Sequence, residues 1–521
     1  MSKTYTIRCD GINEEGRGTF TFNNSRFSAA GLLPGEKAKV QLLYGKDRGR
    51  AVVEEIVTPS EKRTAVSCPN FNKCGGCRLL HTTYENTLAI KTGIVRDLLA
   101  PFTEVGDTVG ADAVGKKDES STFHYRNKIH ATFSYAKNAA FSDDSKSNSK
   151  GRKIANSSVS AGRKGASKNV HGMVVSGLYS EDSHRVVPVS ECAIENRNAS
   201  AVTATIRDYM NRYGVKPYNE DTGSGVIRHV LMRVAKNGDT LVVIVSGSDI
   251  FPEKGKLAAH ICEKHDFVKS VVVNYNTSKT SMVLGPKDEV LVGEGFVTDE
   301  MCGIPFRISA HSFYQINTPV AERMYEDAIK AAHLKPTDRV LDAYCGIGTI
   351  TCVAAGISGC KEIVGVELNA SAVKDAKENA KAAGLKNLTF IKADAGEYLA
   401  KMAERTKNDT NAGAGTKNAR NTNAGNTGAS TMNASKERAT TSHFNCVIMD
   451  PPRSGASDKF LRALLKMAPE KIIYISCNPV TLARDLKTLT RAYKVKQATP
   501  YDMFPWTAGV ECAVILEKNR L

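Results

Sequence analysis

The sequence predicts an α/β protein in which a doubly wound, Rossmann-like sheet follows a cysteine-bearing central region and a small OB-like β-barrel. Three observations predict it. From about residue 335, apolar strands alternate with helical stretches. Residues 1–58 break into short β-branched runs separated by glycine turns. The stretch CPNFNKCGGC at 68–77 places Cys68, Cys74 and Cys77 close together between those two parts. A chain of 521 residues is too long for one ordinary domain.

YTIRCDG, GTFTFN, KAKVQLLY and RAVVEEIV carry the strand patterns of 1–58, and barrels of that size often bind RNA on one face. The central region is expected over 59–310 and the catalytic region over 311–521. Two segments, 136–170 and 406–440, are rich in Ser, Asn, Gly, Thr and Lys and poor in large apolar residues. Such segments bury too little surface to offset chain entropy, so both are expected to be disordered, low-complexity insertions. In the C-terminal part RVLDAYCG, EIVGVEL, LTFIKADA, FNCVIMDPP and KIIYISCNP read as strands with helices between them, and YKVKQATPYDMF and VECAVILEK close the sheet.

Lys and Arg number 71 against 55 Asp and Glu, a formal charge of +16. That excess points to a polyanionic partner, most simply nucleic acid. MSKTYTIRCDG has no apolar signal-peptide core, and no uninterrupted apolar run is long enough to span a bilayer. A cytoplasmic protein without a membrane partner is expected, and no obligate protein partner is evident. Thirteen cysteines, an odd number, do not suggest a disulfide framework in a reducing compartment.

LDAYCGIGT at 341–349 ends a strand with an acid and opens a helix after two glycines. It lacks G-x-G-x-x-G, the dinucleotide fingerprint. Glu367 ends the next strand, where a carboxylate can accept both hydroxyls of an adenosine ribose. Asp394 ends the third, within reach of an adenine. These strand ends read as S-adenosylmethionine binding. IMDPPRSG aims Asp450 into the crevice beyond the fourth strand. Enzymes that methylate exocyclic amines carry an aromatic residue after the two prolines. Arg453 stands there instead, which weakens an amine target.

Cys477, in YISCNP, lies beyond the fifth strand, where a thiol is poorly placed for packing and well placed for attack. Uracil C5 is too weak a nucleophile to take a methyl group from a sulfonium unaided. A thiolate that adds to C6 gives C5 enolate character. A base must then remove the C5 proton, and Glu511 at the start of the last strand is the candidate.

The sequence resembles bacterial RNA (uracil-5-)-methyltransferases, specifically the iron–sulfur type acting on 23S ribosomal RNA. CPNFNKCGGC, HYRNKI, FYQIN, DAYCGIGT, DPPRSG, YISCNP and VECAVILE carry the resemblance in order, and it covers nearly everything outside the two insertions. It implies a Rossmann-like S-adenosylmethionine-dependent methyltransferase domain behind an iron–sulfur central domain and an N-terminal TRAM barrel. It places the nucleophile on Cys477, the base on Glu511, and cofactor contacts on Gln315, Tyr344, Glu367 and Asp450. Asp394 is a further cofactor contact by strand-end position. Many members have a His before the Val-Glu pair; here Gly509 stands in its place.

Cys68, Cys74 and Cys77 need a fourth ligand, and Cys192 in VVPVSECAIEN is the best placed. Four thiolates suit zinc or a [4Fe–4S] cluster, and spacing alone leaves both open. The resemblance implies the cluster, with a structural or RNA-positioning role. Phe313, Tyr314 and Trp506 are candidates to hold a base flipped out of the RNA. The rival expectations are a tRNA uracil-5 methyltransferase and a non-catalytic iron–sulfur RNA-binding protein.

Overall fold

The computed structural model describes residues 3–114, 121–136, 172–181, 183–415 and 443–520, with only the backbone of 46 and 407–415. The insertion at 136–170 lies outside the described residues save for its first position. In the second insertion, residues 406–415 differ from expectation: they continue a helix nucleated by packed residues upstream.

Strands β1 (Thr4–Arg8), β2 (Gly11–Ile12), β3 (Gly18–Phe22), β4 (Ser25–Ala29), β5 (Lys37–Leu42) and β6 (Arg50–Thr58) form one sheet in the order β1-β5-β6-β4-β3-β2. The first segment bends between β1 and β2. Before the bend it pairs with β5, and after it with β3, so the sheet closes on itself. Inward positions alternate along β5, and Ala38, Val40 and Leu42 join Ile7, Phe20 and Leu32 in the barrel core.

Helix α1 (Tyr84–Leu99) starts at Thr83, whose Oγ1 accepts from the Asn86 amide at 3.2 Å. A second sheet holds β7 (Lys128–Tyr135), β8 (Val174–Tyr179), β9 (Val186–Pro188), β10 (Ile227–Val234), β11 (Thr240–Ser246), β12 (Val268–Tyr275) and β13 (Lys287–Val292). Its order is β13-β12-β11-β10-β7-β8-β9. Helices α2 (Arg197–Tyr213) and α3 (Lys254–Lys264) bury Val202, Ile206, Leu257 and Ile261 against it.

A hairpin, β14 (Phe296–Met301) and β15 (Ile304–Ser309), and helix α4 (Thr318–Ala331) lead to the third sheet. There β16 (Arg339–Asp342), α5 (Thr349–Ser358), β17 (Glu362–Glu367), α6 (Ala370–Ala382), β18 (Leu388–Lys392), α7 (Ala395–Gly415), β19 (Cys446–Met449), α8 (Asp458–Met467), β20 (Lys471–Ser476) and α9 (Pro479–Leu489) alternate strictly. β21 (Tyr493–Tyr501) and β22 (Glu511–Lys518) complete the order β18-β17-β16-β19-β20-β22-β21.

One expectation is corrected. The sheet is parallel only from β18 to β20: β22 inserts between β20 and β21 and runs antiparallel to both. A strand that returns by a loop rather than a crossover helix must run antiparallel to the strand it left. The regions expected over 59–310 and 311–521 pack against each other. α1 packs on α9 and β21, the Gly106 and Val109 amides donate to the Ala498 and Pro500 carbonyls, and the β14–β15 hairpin buries Val297 and Phe306 in the catalytic core.

Candidate active site

Parallel strands deliver their C-terminal ends to one edge of the sheet, and the order reverses beside β16 and β19. A crevice opens at that switch point. Asp342, Glu367, Asp394, Asp450 and Cys477 all sit at or just past these strand ends. Glu511 opens the antiparallel β22, so its first residue lies at the same edge, where the Ser476–Cys512 pair joins β20 to β22.

The glycine loop between β16 and α5 is held from below. Asp342 is fully buried; its carboxylate accepts the Thr351 hydroxyl at 2.6 Å, and burial pushes its pKa up to about 6. Gly346 has φ +54° and a Cβ there would meet open space, whereas Gly348 has φ +83° and a Cβ there would lie 3.1 Å from the Phe390 ring. The first glycine leaves room for a ligand, and the second permits close packing. The Glu367 carboxylate bridges the loop to the next turn, accepting from the Gly346 amide at 3.2 Å and the Asn369 amide at 2.8 Å. Tyr344 rests against Phe460, with ring centroids 5.3 Å apart. Asp394 caps α7, accepting from the Glu397 amide at 2.9 Å.

Gln315 is buried and is reached from the second sheet. Asn127, in the HYRNKI stretch, donates from Nδ2 to the Gln315 carbonyl at 2.8 Å and to Thr318 Oγ1 at 3.0 Å, and its amide donates to the Ile316 carbonyl at 3.0 Å. Sequence reasoning missed Asn127 as a support for Gln315. It also missed Tyr325, fully buried on α4 and facing Gln315, Thr349, Asp450 and Glu511. A tyrosine eight positions past Asn317 on an amphipathic helix carries no local signal beyond core packing.

The acids and the thiol form one electrostatic unit. Asp450 lies at the foot of the crevice, partly open to solvent yet enclosed by protein on most sides. Burial, then the neighbouring Asp342, push its pKa to about 7. Glu511 is only 2% exposed; burial and then Asp450 hold its carboxyl well above the usual range, and its Oε2 has no hydrogen-bond partner among the described residues. Burial, Glu511 and Asp450 push the Cys477 thiol up to about 11, and Arg453 pulls both Cys477 and Glu511 down. Two crowded carboxyls facing a thiol favour a cationic ligand.

The base-holding candidates divide. Phe313 is 60% exposed beside Gln315, but Tyr314 and Trp506 are buried, and Trp506 lies between Phe123 and Tyr84, packed with Leu80 and Ile194. A core position removes both from any stacking role. Gly509 also has a physical account: a Cβ there would lie 3.0 Å from the Phe504 ring, which occupies the space a side chain would need.

Cys68, Cys74, Cys77 and Cys192 line one cavity together with Phe71, Leu80 and Leu178. Burial raises the Cys77 thiol most, followed by the proximity of Cys192, Cys74 and Cys68. Among the described residues, no three His, Cys, Asp or Glu side chains converge as ligands of a single metal ion. Four thiols on one cavity are a donor set that either a zinc ion or a [4Fe–4S] cluster could take.

The RNA methyltransferase of Halalkalibacterium halodurans, itself uncharacterised, is 30% identical over 98% of this chain and 96% of its own length. An uncharacterised RNA methyltransferase of Listeria monocytogenes is 30% identical over 99% of this chain and 98% of its own. The family profile of tRNA (uracil-5-)-methyltransferases matches residues 271–412 and 433–519. The chain belongs to the RNA uracil-5-methyltransferase family. The fold of this methyltransferase is that of the Pyrococcus abyssi tRNA (uracil-54, C5)-methyltransferase in complex with S-adenosyl-L-homocysteine, with a TM-score of 0.66 and 19% identity. The match covers 99% of this chain and 100% of that one. S-adenosylmethionine is the methyl donor and RNA the acceptor for this family. No helix among the described residues is long and apolar enough to cross a membrane.

Proposed function

We propose that this enzyme methylates C5 of a uridine in 23S ribosomal RNA through a covalent thiol adduct. The juxtaposition of Cys477 and Glu511 across the Ser476–Cys512 pair carries the reading, since amine methylation needs neither group. The Cys477 thiolate adds to C6 of a flipped uracil, and the electron pair moves toward the C4 oxygen. C5 then attacks the sulfonium methyl, and S-adenosylhomocysteine leaves. Glu511, in its carboxylate form, takes the C5 proton; the C5–C6 double bond re-forms and the thiolate departs with the C6–S electrons. A sulfonium beside Asp450 favours the ionised forms of all three groups, which burial in the crevice shifts toward their neutral forms.

In this reading Gln315, Tyr344, Glu367, Asp394 and Asp450 hold the cofactor, and Phe313 stacks on the exposed base. Cys68, Cys74, Cys77 and Cys192 would hold a [4Fe–4S] cluster, which when bound supplies a rigid crosslink rather than electrons. The closed N-terminal barrel is read as a TRAM-like RNA contact. The preference for 23S rRNA rests on the resemblance carried by the sequence motifs, since the fold, barrel region included, is shared over 99% of this chain with a tRNA uracil-54 enzyme. The tRNA reading keeps support from the family profile's own description.

The test uses anaerobically purified protein with unmodified RNA carrying tritium at uracil C5. Cofactor-dependent release of tritium to water from 23S rRNA, and not from tRNA, is the expected result. Release only from tRNA would reverse the choice of substrate. Methyl transfer without tritium release would overturn the thiol mechanism.

A further inference from the structure

We propose that Lys91 is a positioning residue for Glu511, acting through the loop between β21 and β22. The proposal rests on Glu511 as the base. Nothing local fixes that carboxyl: Oε2 is buried without a hydrogen-bond partner among the described residues, so the backbone that carries Glu511 sets where it points. That backbone emerges from an irregular loop, bounded by the Tyr501–Glu511 pair. No hairpin turn of defined type fixes such a loop.

The ladder pairs hold Glu511 itself, and Lys91 supplies a further constraint on the loop that leads into it. It projects from α1, is fully buried, and directs all of its donors at this one loop. Its Nζ pairs with the Asp502 carboxylate at the start of the loop. It also donates to the Phe504 carbonyl at 3.0 Å and to the Gly509 carbonyl at 2.7 Å, two residues before Glu511. The second Asp502 oxygen accepts the Tyr84 hydroxyl at 2.7 Å, and the Tyr84 oxygen in turn accepts the Ala111 amide at 2.9 Å. Both ends of the loop are thus tied to one side chain on a helix from the N-terminal half of the chain.

A second observation stands apart from the ion pair. At the loop's apex Trp506 has φ +66°, a conformation that bulky residues adopt only when their surroundings impose it. The Leu79 amide donates to its carbonyl at 2.9 Å, and its ring lies 5.2 Å from both Phe123 and Tyr84. The same apolar cluster includes Cys68, Cys77 and Cys192. The cysteine-bearing segment and α1 therefore grip the base-carrying loop from two directions. The cysteines then serve catalysis by holding the loop that delivers Glu511.

A buried ion pair can also be purely structural, and the test separates the two roles. In the Lys91→Met/Asp502→Leu enzyme both charges are removed together, so neither is left buried and unpaired. Tyr84→Phe is the milder variant and deletes one hydroxyl. Melting temperature, Kd for S-adenosylmethionine and for RNA, kcat, and the fraction of protein–RNA adduct surviving denaturation are measured beside Glu511→Gln. The adduct in question is methylated at C5, bonded through sulfur at C6, and still holds the C5 proton.

The double variant is expected to bind both ligands as the unaltered enzyme does. Its kcat falls about 10²-fold, in line with a 1 Å misplacement of a catalytic group, and adduct accumulates as in Glu511→Gln. Tyr84→Phe shows the same signature in smaller degree. A folded double variant, or a Tyr84→Phe enzyme, with unaltered kcat and no extra adduct would overturn the proposal and leave Lys91 a stabilising residue. If Glu511→Gln itself turns over normally, the base assignment fails first and the clamp with it.

Discussion

Cys477 ends one side and Glu511 begins the other of the Ser476–Cys512 pair that joins β20 to β22, so a thiol and a carboxyl meet at one edge of the sheet. Burial does most to disfavour the charge on both groups: burial and then Glu511 raise the thiol to about 11, and burial and then Asp450 raise Glu511. The site waits in a neutral form that a cationic cofactor can activate.

Cys477→Ala should abolish tritium release from C5-labelled RNA while leaving S-adenosylmethionine and RNA affinities within about twofold, because the thiol is needed for bond formation and contributes little to binding. Filter binding and isothermal titration check the second half of that statement. Residual release at more than a few per cent of the normal rate would remove Cys477 from the mechanism.

Glu511→Gln keeps the shape of the side chain and removes the carboxylate that the proposed mechanism uses as proton acceptor. Methyl transfer should then run once, and the protein should stay joined to the methylated RNA. A gel-shifted band that survives denaturation, with stoichiometric methyl label, is the readout. Multiple turnovers by this variant would assign proton removal elsewhere.

Arg453 pulls the Cys477 and Glu511 pKa values down. With the thiol near 11 in the free enzyme, thiolate content and kcat/KM rise as pH rises toward that value. Arg453→Gln removes the lowering influence, so the thiol pKa moves further up and the rising limb shifts to higher pH. At pH 7 kcat/KM should fall about 10-fold if the shift is close to one pKa unit. An unshifted profile would show that Arg453 does not set the thiol pKa.

Gly348→Ala places a methyl group 3.1 Å from the Phe390 ring at φ +83°. The left-handed backbone alone costs about 1–2 kcal/mol with a Cβ present. Gly346→Ala, at φ +54° in open space, should cost less stability but weaken cofactor binding more. Thermal melts with and without S-adenosylmethionine separate the two effects.

Cys192→Ser should lower bound iron and labile sulfide and bleach any visible charge-transfer band. Zinc at one equivalent in the anaerobic protein, with no sulfide, would replace the cluster by a single ion at the same cysteines.

Much of this was legible in the chain. The motif spacing around Asp342, Glu367, Asp450 and Cys477 announced a crevice at strand ends, because strict strand–helix alternation puts every such end on one edge. Charge patterning and glycine placement are local properties and survive being read one residue at a time. Other features had no local mark. Trp506 reads as a candidate stacking residue, and nothing in the sequence beside Lys91 or Asn127 marks what either one holds. Lys91 faces Asp502 from 411 positions away in the sequence, and nothing near either residue names the other.

The sequence by itself determined the order of elements, the acid and thiol at the strand ends, and the chemistry that those groups can perform. Tertiary structure alone decided that β22 turns back between β20 and β21 and brings Glu511 to Cys477, and that Trp506 is core. It also decided that a lysine from the N-terminal half holds the loop that leads into Glu511. The physical reason is that periodicity encodes which face of an element is buried, whereas the partner it is buried against depends on how the whole chain packs.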